Sequence, residues 1–403
     1  MARFRTALKD ALAARVREST RRGLGRTPPL LEAAGRGPMV VTGGRRFTSY
    51  LSNDYLGLAA DAGWQATVAG CFAKHAVSSS GSRLAGGHTR VARDAEQATA
   101  AYFGYDECVF LPSGYQGNLA LVTGLLQAGQ PVLVDRRIHA STGHALMGTG
   151  ATILPYAHAD LDHLGRRLAR LEGDGTGVQP VVLAESLYSM DGTVADPRAW
   201  ATCKSAHGFF LIMDEAHALG CLGPGGRGVM AARPGTADAA LGTLGKGCGF
   251  FGAFALLPAG FTTLLEHLAS PVMHSTELPP AHAAAMLALV DLLPRLDGAR
   301  ERLAANAALL RRLLAERGVP ARGQAHIVSV PVGDEARCLR LREGLENRGV
   351  LALAARFPTV PWGKSLLRFG VTALHTEAMI AATAAALAAL WEKERPAPEQ
   401  ARG

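Results

Sequence analysis

The 403-residue chain is 48% hydrophobic and 19% charged, a globular composition long enough for a large domain beside a smaller one. No run reaches the roughly 20 apolar residues of a membrane span, and no apolar segment opens the chain as a signal peptide does. Six scattered cysteines form no CxxC pair, so neither a zinc site nor a disulfide framework is signalled, and a cytoplasmic protein with reduced thiols, no metal and no membrane contact is expected.

The net charge of +8 is concentrated at the N-terminus, where Met1 to Thr27 holds eight Lys/Arg against two Asp/Glu. Phe4, Leu8, Leu12 and Val16 recur every four residues there, the spacing of an amphipathic helix with a solvated basic face. A basic arm on a near-neutral body argues weakly for nucleic acid, and no nucleic-acid partner is expected. From Asp106 to Pro258 the strand-length runs "CVFLP", "PVLVD", "ATILPYA", "PVVLAE", "FFLIMD", "AALGTLG" and "AFALLP" alternate with helical stretches. That is the pattern of an α/β fold with a mostly parallel sheet covered on both faces. After Pro279 two long helical patterns, strand-like "HIVSVPVG", a helix, "VLALAARFP", "LLRFGVT" and a last helix read as an α+β module. The predicted organisation is a helical arm over 1–47, a large α/β domain over 48–280 and a small α+β domain over 281–403.

Ligands of such sheets bind beyond the carboxyl ends of the strands, so the polar residues after each run matter most. The stretch "FFLIMDEAHALG" resembles the second nucleotide-binding motif of a helicase, which needs a Walker A loop, GxxxxGK[ST], before it. Of two GK pairs, "GTLGKG" has Gly247 where Ser or Thr must stand, and "PTVPWGKS" has Pro358 for the first Gly and lies after the DEAH segment. The alternative is an organic cofactor. Asp214 at a strand end, Lys246 on a glycine-rich turn one strand later and His139 near an earlier strand end suit pyridoxal phosphate: a partner for the ring nitrogen, a covalent anchor and a ring-stacking group. Its phosphate would sit at the N-terminus of the helix starting in "PSGYQGNLALVTGLL", where free N–H groups and the dipole favour an anion. Taken singly, a strand-end Asp serves as well for a helix cap, and a lone His for a satisfied polar group. Their conjunction points to the cofactor.

The segments "SNDYLGLA", "GSRLAGGH", "SGYQGNLA", "HAS", "ESLYSMDG", "DEAHALGCLGPGGRG", "TLGKGCG", "STELPP" and "FPTVPWGKSLLRFGVTALHT" resemble, in order and over nearly the whole chain, those of the α-oxoamine synthases. The resemblance implies a fold-type I pyridoxal-phosphate enzyme that condenses an amino acid with an acyl thioester and releases carbon dioxide. By motif, Lys246 resembles the anchoring lysine, Asp214 the pyridine partner, His217 the group bonding the ring hydroxyl and His139 the stacking histidine. Ser189, Thr243 and the backbone at Gly114 and Tyr115 resemble polar and phosphate contacts. Ser275 and Thr276 resemble a segment reaching the neighbouring subunit's phosphate, which implies a homodimer with shared sites. Arg368 resembles the residue holding the amino-acid carboxylate, a task for a guanidinium fork. Within the family the chain is most similar to the biotin-pathway branch, which joins alanine to a pimeloyl thioester of coenzyme A or acyl carrier protein. Ser82 then leaves room for alanine's methyl, Leu84 walls the acyl chain, and Arg26 and Thr359 match contacts to the acyl substrate. The resemblance places departures such as Arg93 in place of a His, "HALG" and the bulky "GCGFFGAF" around the cofactor and the acyl channel, which leaves as the alternative another α-oxoamine synthase that makes a different α-amino ketone from an uncharged acyl thioester.

Overall fold

The computed structural model describes residues 2–22, 24–26, 28–32, 37–173 and 177–394. In chain order its elements are α1 (Ala2–Arg21), β1 (Met39–Thr42), β2 (Arg45–Ser49), α2 (Ala62–Lys74), α3 (Arg90–Phe103), β3 (Glu107–Leu111), α4 (Gly114–Leu125), β4 (Pro131–Asp135), α5 (Ala140–Leu146), β5 (Thr152–Tyr156), α6 (Leu161–Gly173), β6 (Val181–Glu185), α7 (Pro197–His207), β7 (Phe210–Asp214), β8 (Ala239–Thr243) and β9 (Ala253–Leu257). There follow α8 (Phe261–Leu268), α9 (Ser270–Met273), α10 (Pro280–Leu292), α11 (Asp297–Ala315), β10 (Ile327–Gly333), α12 (Glu335–Asn347), β11 (Val350–Leu351), β12 (Leu353–Ala355), β13 (Ser365–Gly370) and α13 (Glu377–Lys393). Each apolar run between Asp106 and Pro258 forms a strand, and together they make one seven-stranded sheet of order β3-β9-β8-β7-β6-β4-β5. Only β9 runs against its neighbours.

Strands β4, β6, β8 and β9 are buried at every residue, as Val/Leu/Ala runs without polar alternation require. On one face Val109, Val132, Ile212 and Leu241 pack with Leu121 of α4, Leu146 of α5 and Leu265 of α8. On the other, Leu133, Val182 and Leu211 pack with Leu164 and Leu168 of α6 and Trp200 of α7. Helix α10 joins α2 and α3 in a further core of Trp64, Ala95, Phe103, Met286 and Leu289. A Cβ on Gly117 would lie 2.3 Å from Leu241 Cδ1. Glycine there lets α4 press onto the sheet with its N-terminus over the strand ends.

The C-terminal segment builds the antiparallel sheet β10-β13-β12, covered by α11, α12 and α13 through Leu310, Leu341, Leu367, Phe369, Ile380 and Leu387. Strand β11 pairs in parallel with β2, which pairs with β1, so residues 39–49 are tied to the far end of the chain. The N-terminal helix forms as its spacing predicts, but Leu8, Leu12 and Val16 are 64%, 48% and 66% exposed. Among the described residues its apolar stripe is left uncovered, because a stripe of three side chains one turn apart secures a helix and not a docking position. Among the described residues no helix is long and apolar enough to cross a membrane.

The loop between α2 and α3 is fixed by a buried ion cluster. Arg83 forks onto Glu96 at 2.8 and 3.0 Å, reaches Glu266 at 2.6 Å and Glu277 at 3.5 Å, and Ser82 bridges to Thr276. Removing the guanidinium leaves buried carboxylates uncompensated, which costs about 3–5 kcal/mol. Arg83→Met is therefore expected to lower the urea midpoint by an amount equivalent to about 3 kcal/mol; an unchanged midpoint would show that the cluster contributes nothing net.

Candidate active site

The parallel strands end side by side, and their last residues are polar. Glu185 of β6 lies directly beside Asp214 of β7, whose other neighbour is Leu241 of β8; Thr243 ends β8 two residues later. Asp214 is buried; its Oδ2 accepts from Asn118 Nδ2 at 2.8 Å and its Oδ1 from the Ala216 N–H at 2.9 Å. Asn118 also donates to Ser141 Oγ at 3.0 Å, and Ser141 lies 2.7 Å from His139 Nδ1. One network thus joins Asp214 at the strand end to His139, which caps α5 and is solvent-exposed. The DEAH letters divide by task. Asp214 and His217 face the site, while Glu215 turns away, accepting from Ser186 Oγ and from the N–H groups of Val229 and Met230 at 3.0 and 2.8 Å.

Lys246 stands on the turn between β8 and β9. A Cβ on the next residue, Gly247, would meet Cys221 Sγ at 2.5 Å and the Leu219 carbonyl oxygen at 2.9 Å, so only glycine lets this turn lie against the DEAH loop. Lys246 Nζ is 2.8 Å from His217 Nε2, and His217 Nδ1 is 2.7 Å from the Tyr55 hydroxyl. Burial pulls the Lys246 amine down to about 8 against the opposing influence of Asp214 and Glu185. Burial, reinforced by Lys246 and Arg368, keeps His217 well below its usual range and neutral. Burial also pushes the Glu185 carboxyl well up, with Asp214 adding to the effect.

Arg368 of β13 is 3% exposed. Its Nε donates to the Ser189 carbonyl oxygen at 2.6 Å, and its Nη2 to Asn53 Oδ1 at 3.0 Å and to the Tyr55 hydroxyl at 3.1 Å. The segment carrying Ser189 is pinned by His158, 3.0 Å from Asp135 and 3.2 Å from Asp191. Burial opposes charging of His158, but these two carboxylates outweigh it and lift the ring to about 9.

These placements bring Lys246, Asp214, His217, His139, Ser189 and Arg368 around one space at the strand ends. Thr243 and Gly114 meet at its rim, where a Cβ on Gly114 would stand 3.6 Å from Thr243 Cβ. The first-turn N–H groups of Gly114 and Tyr115 are among those an α-helix leaves without internal partners. The space fits pyridoxal phosphate on the structure's own terms. It offers a buried carboxylate for a protonated ring nitrogen, an amine lowered towards neutrality, a helix N-terminus for the phosphate and a buried carboxyl oxygen, Glu185 Oε1, that has no hydrogen-bond partner.

Other predicted residues lie elsewhere in this single chain. Ser275 is half-buried and Thr276 exposed, beside Ser82, and Leu84 is 64% exposed. Arg26, on the arm, donates to the Phe357 carbonyl oxygen at 3.3 Å and Thr359 Oγ1 at 3.4 Å. Both line a cavity of about 730 Å³ between the arm and the C-terminal segment, and Lys246, Asp214 and His139 do not line it. Asn53, Tyr55, Asn118 and Ser141 were not named as site residues, and Glu185 was singled out only as a strand-end polar residue. All five sit inside the motifs "SNDYLGLA", "SGYQGNLA", "HAS" and "ESLYSMDG", and only folding shows which letters of each motif turn inward.

The family model for aminotransferase class I and II matches residues 50–387. The 8-amino-7-oxononanoate synthase of Pseudomonas putida is 37% identical over 380 residues, 92% of this chain and 94% of that protein. A Bordetella bronchiseptica protein that carries the same name provisionally is 37% identical over 98% of both chains. Among solved structures, a serine palmitoyltransferase of S. paucimobilis with bound pyridoxal phosphate and myriocin superposes with a TM-score of 0.88, at 26% identity over 96% of this chain and 98% of that one. The chain belongs to the class I and II aminotransferase family and, within it, to the α-oxoamine synthases, fold-type I acyltransferases that depend on pyridoxal phosphate.

Proposed function

We propose that the protein condenses L-alanine with a pimeloyl thioester, carried by coenzyme A or an acyl carrier protein, to give 8-amino-7-oxononanoate, carbon dioxide and free thiol for biotin synthesis. The observation that carries this reading is the pairing of two arginines with different settings: buried Arg368, linked through Tyr55 and His217 to Lys246, and exposed Arg26 beside Thr359 at a separate cavity. The first suits the carboxylate of an amino acid and the second the distal carboxylate of a dicarboxylic acyl chain. The names of the relatives above support the same choice.

When bound, pyridoxal phosphate supplies a ring that stores the electron pair left on the amino acid's α-carbon. Asp214 would hold the proton on the ring nitrogen, His217 would hydrogen-bond the ring hydroxyl, and His139 would stack on the ring. Lys246, largely neutral above about pH 8, would take the α-carbon proton and return it. Ser275 and Thr276 would serve the phosphate of a second copy's site, so the working unit would be a homodimer. Ser82 and Leu84 would border the substrate.

Three outcomes test this reading. Borohydride should fix the cofactor to Lys246, and uptake of pyridoxal phosphate by cofactor-free protein should speed up as pH rises through about 8, because only the neutral amine attacks; labelling elsewhere or a pH-flat rate would remove Lys246 from the role. Asp214→Asn should retain the cofactor yet lose at least ~100-fold in turnover, ~2.7 kcal/mol of barrier, since an amide stabilises a protonated ring poorly. Arg26→Ala should cost roughly 10–150-fold in kcat/KM with a pimeloyl thioester, the value of about 1.5–3 kcal/mol for a charge-assisted hydrogen bond. An uncharged thioester of equal length should be little affected. Wild type preferring the uncharged chain would replace the pimeloyl assignment with another acyl specificity.

A further inference from the structure

Residues 186–195 form a short hairpin between the large sheet and the C-terminal segment. Leu187 bridges to Val194, the Tyr188 N–H donates to the Thr193 carbonyl oxygen at 3.0 Å, and the Ala195 N–H to the Ser186 carbonyl oxygen at 2.8 Å. The tip meets the C-terminal segment through its carbonyl oxygens. That of Ser189 accepts from Arg368 Nε at 2.6 Å, that of Asp191 from Ser329 Oγ at 3.2 Å and that of Gly192 from the Gln324 N–H at 3.0 Å. Gly192 takes a φ of +73°, and a Cβ there would stand 2.3 Å from the Ile327 carbonyl oxygen. On its other flank the tip is held by charge. His158, in the loop between β5 and α6, sets Nδ1 3.0 Å from Asp135 Oδ1 at the end of β4 and Nε2 3.2 Å from Asp191 Oδ2.

An imidazole donates from both nitrogens only when it carries a second proton, and a carboxylate stands at each end of this one. Asp135 is buried and its other partners are the N–H groups of Arg137 and Ala159, at 2.7 and 2.8 Å, so His158 is the cation that meets it. We propose that His158 is a positioning residue for the amino acid: by clasping Asp135 of the large sheet to Asp191 of the hairpin it fixes the Ser189 carbonyl oxygen, and with it the direction in which Arg368 offers its guanidinium to a carboxylate. The inference rests on the reading of Arg368 as the amino acid's anchor. The groups around the clasp are few. The exposed Arg137 guanidinium also meets Asp191, the buried Tyr188 ring stands edge-on to His158 at 4.4 Å, Thr193 Oγ1 lies 3.3 Å from Nε2, Glu185 ends the neighbouring β6, and His163 of α6 accepts from the Ala157 N–H at 3.0 Å. Burial opposes the charge on His158, but Asp135 and Asp191 outweigh it and lift the ring to about 9. A group raised in the folded protein lends its full hold below its ordinary value, about 6.5 for histidine, and loses it as pH climbs through the raised one. The clasp is therefore closed at neutral pH and opens through about pH 9.

The test compares alanine with ethylamine, which is alanine without its carboxylate, on the full-length holoenzyme. Visible absorbance of the bound cofactor reads the affinity of each, corrected for the ionisation of the free amine, and the ratio of the two isolates what the carboxylate contributes. His158→Gln should weaken alanine about tenfold at pH 7, part of the value of a charge-assisted hydrogen bond, and leave ethylamine unchanged. That penalty should close as pH rises through about 9, where wild type loses the clasp as well. Wild type alone should show its preference for alanine over ethylamine falling across the same range, a result that needs no variant to fold. Asp191→Asn removes one of the two carboxylates that hold the proton, so its preference should fall at lower pH than in wild type. Equal losses for both amines in His158→Gln would make the clasp a general prop of the fold and overturn the proposal. So would an unchanged alanine affinity, or a wild-type preference that stays flat through pH 9. If Arg368→Lys leaves the preference for alanine intact, the underlying reading of the anchor falls; if Arg368→Lys removes that preference and His158→Gln does not reduce it, the clasp alone falls.

Discussion

A carboxylate at the end of a buried strand is the constraint from which the rest of the site follows. Taking Asp214 out of water costs several kcal/mol unless other groups satisfy it. Two neutral donors, Asn118 and the Ala216 N–H, occupy part of its surface, and no arginine or lysine forms an ion pair with it among the described residues. The adjacent Glu185 is pushed well above the usual carboxylate range by burial, with Asp214 adding to the effect. What remains is a negative centre shaped for a cation brought in from outside, and a protonated pyridine ring meets that requirement.

The scaffold delivers such a centre because every parallel strand of the sheet stops at the same edge. Residues that end β4, β6, β7 and β8 are far apart in sequence but adjacent in register, and the reversed β9 carries the Lys246 turn back onto them. Close approaches set the fine positions. Gly117 admits α4 to contact with Leu241, and Gly247 admits the lysine turn to contact with Cys221. Arg368 comes from the C-terminal sheet and joins the site by its bond to the Ser189 carbonyl oxygen. Arg368 and Lys246 therefore come from different sheets, and the Tyr55 hydroxyl lies between Arg368 and the His217 that Lys246 meets.

Polar groups at this junction form two connected chains, Asp214–Asn118–Ser141–His139 and Lys246–His217–Tyr55–Arg368. In a buried site such connection orients each group before a ligand arrives, since an isolated polar atom would pay a desolvation penalty. The pinned segment around Asp135, His158 and Asp191 adds rigidity without taking part in either chain.

The sequence by itself determined the strands and helices of the large sheet, because runs such as "PVLVD" and "FFLIMD" carry their burial in their composition. It also singled out Lys246, Asp214 and His139 as candidates, because strand ends are legible wherever an apolar run meets a polar residue. The nine ordered motifs added His217 and Arg368, which no periodicity marks. Only the tertiary structure decided that Tyr55, Asn53, Asn118 and Glu185 line the same space, since their neighbours lie between 29 and 315 residues away and no local pattern encodes such separations. The structure alone also showed that Leu8, Leu12 and Val16 remain exposed and that β2 pairs with β11. Local spacing fixes which face of an element is apolar; what that face meets is settled by the assembly of the whole chain.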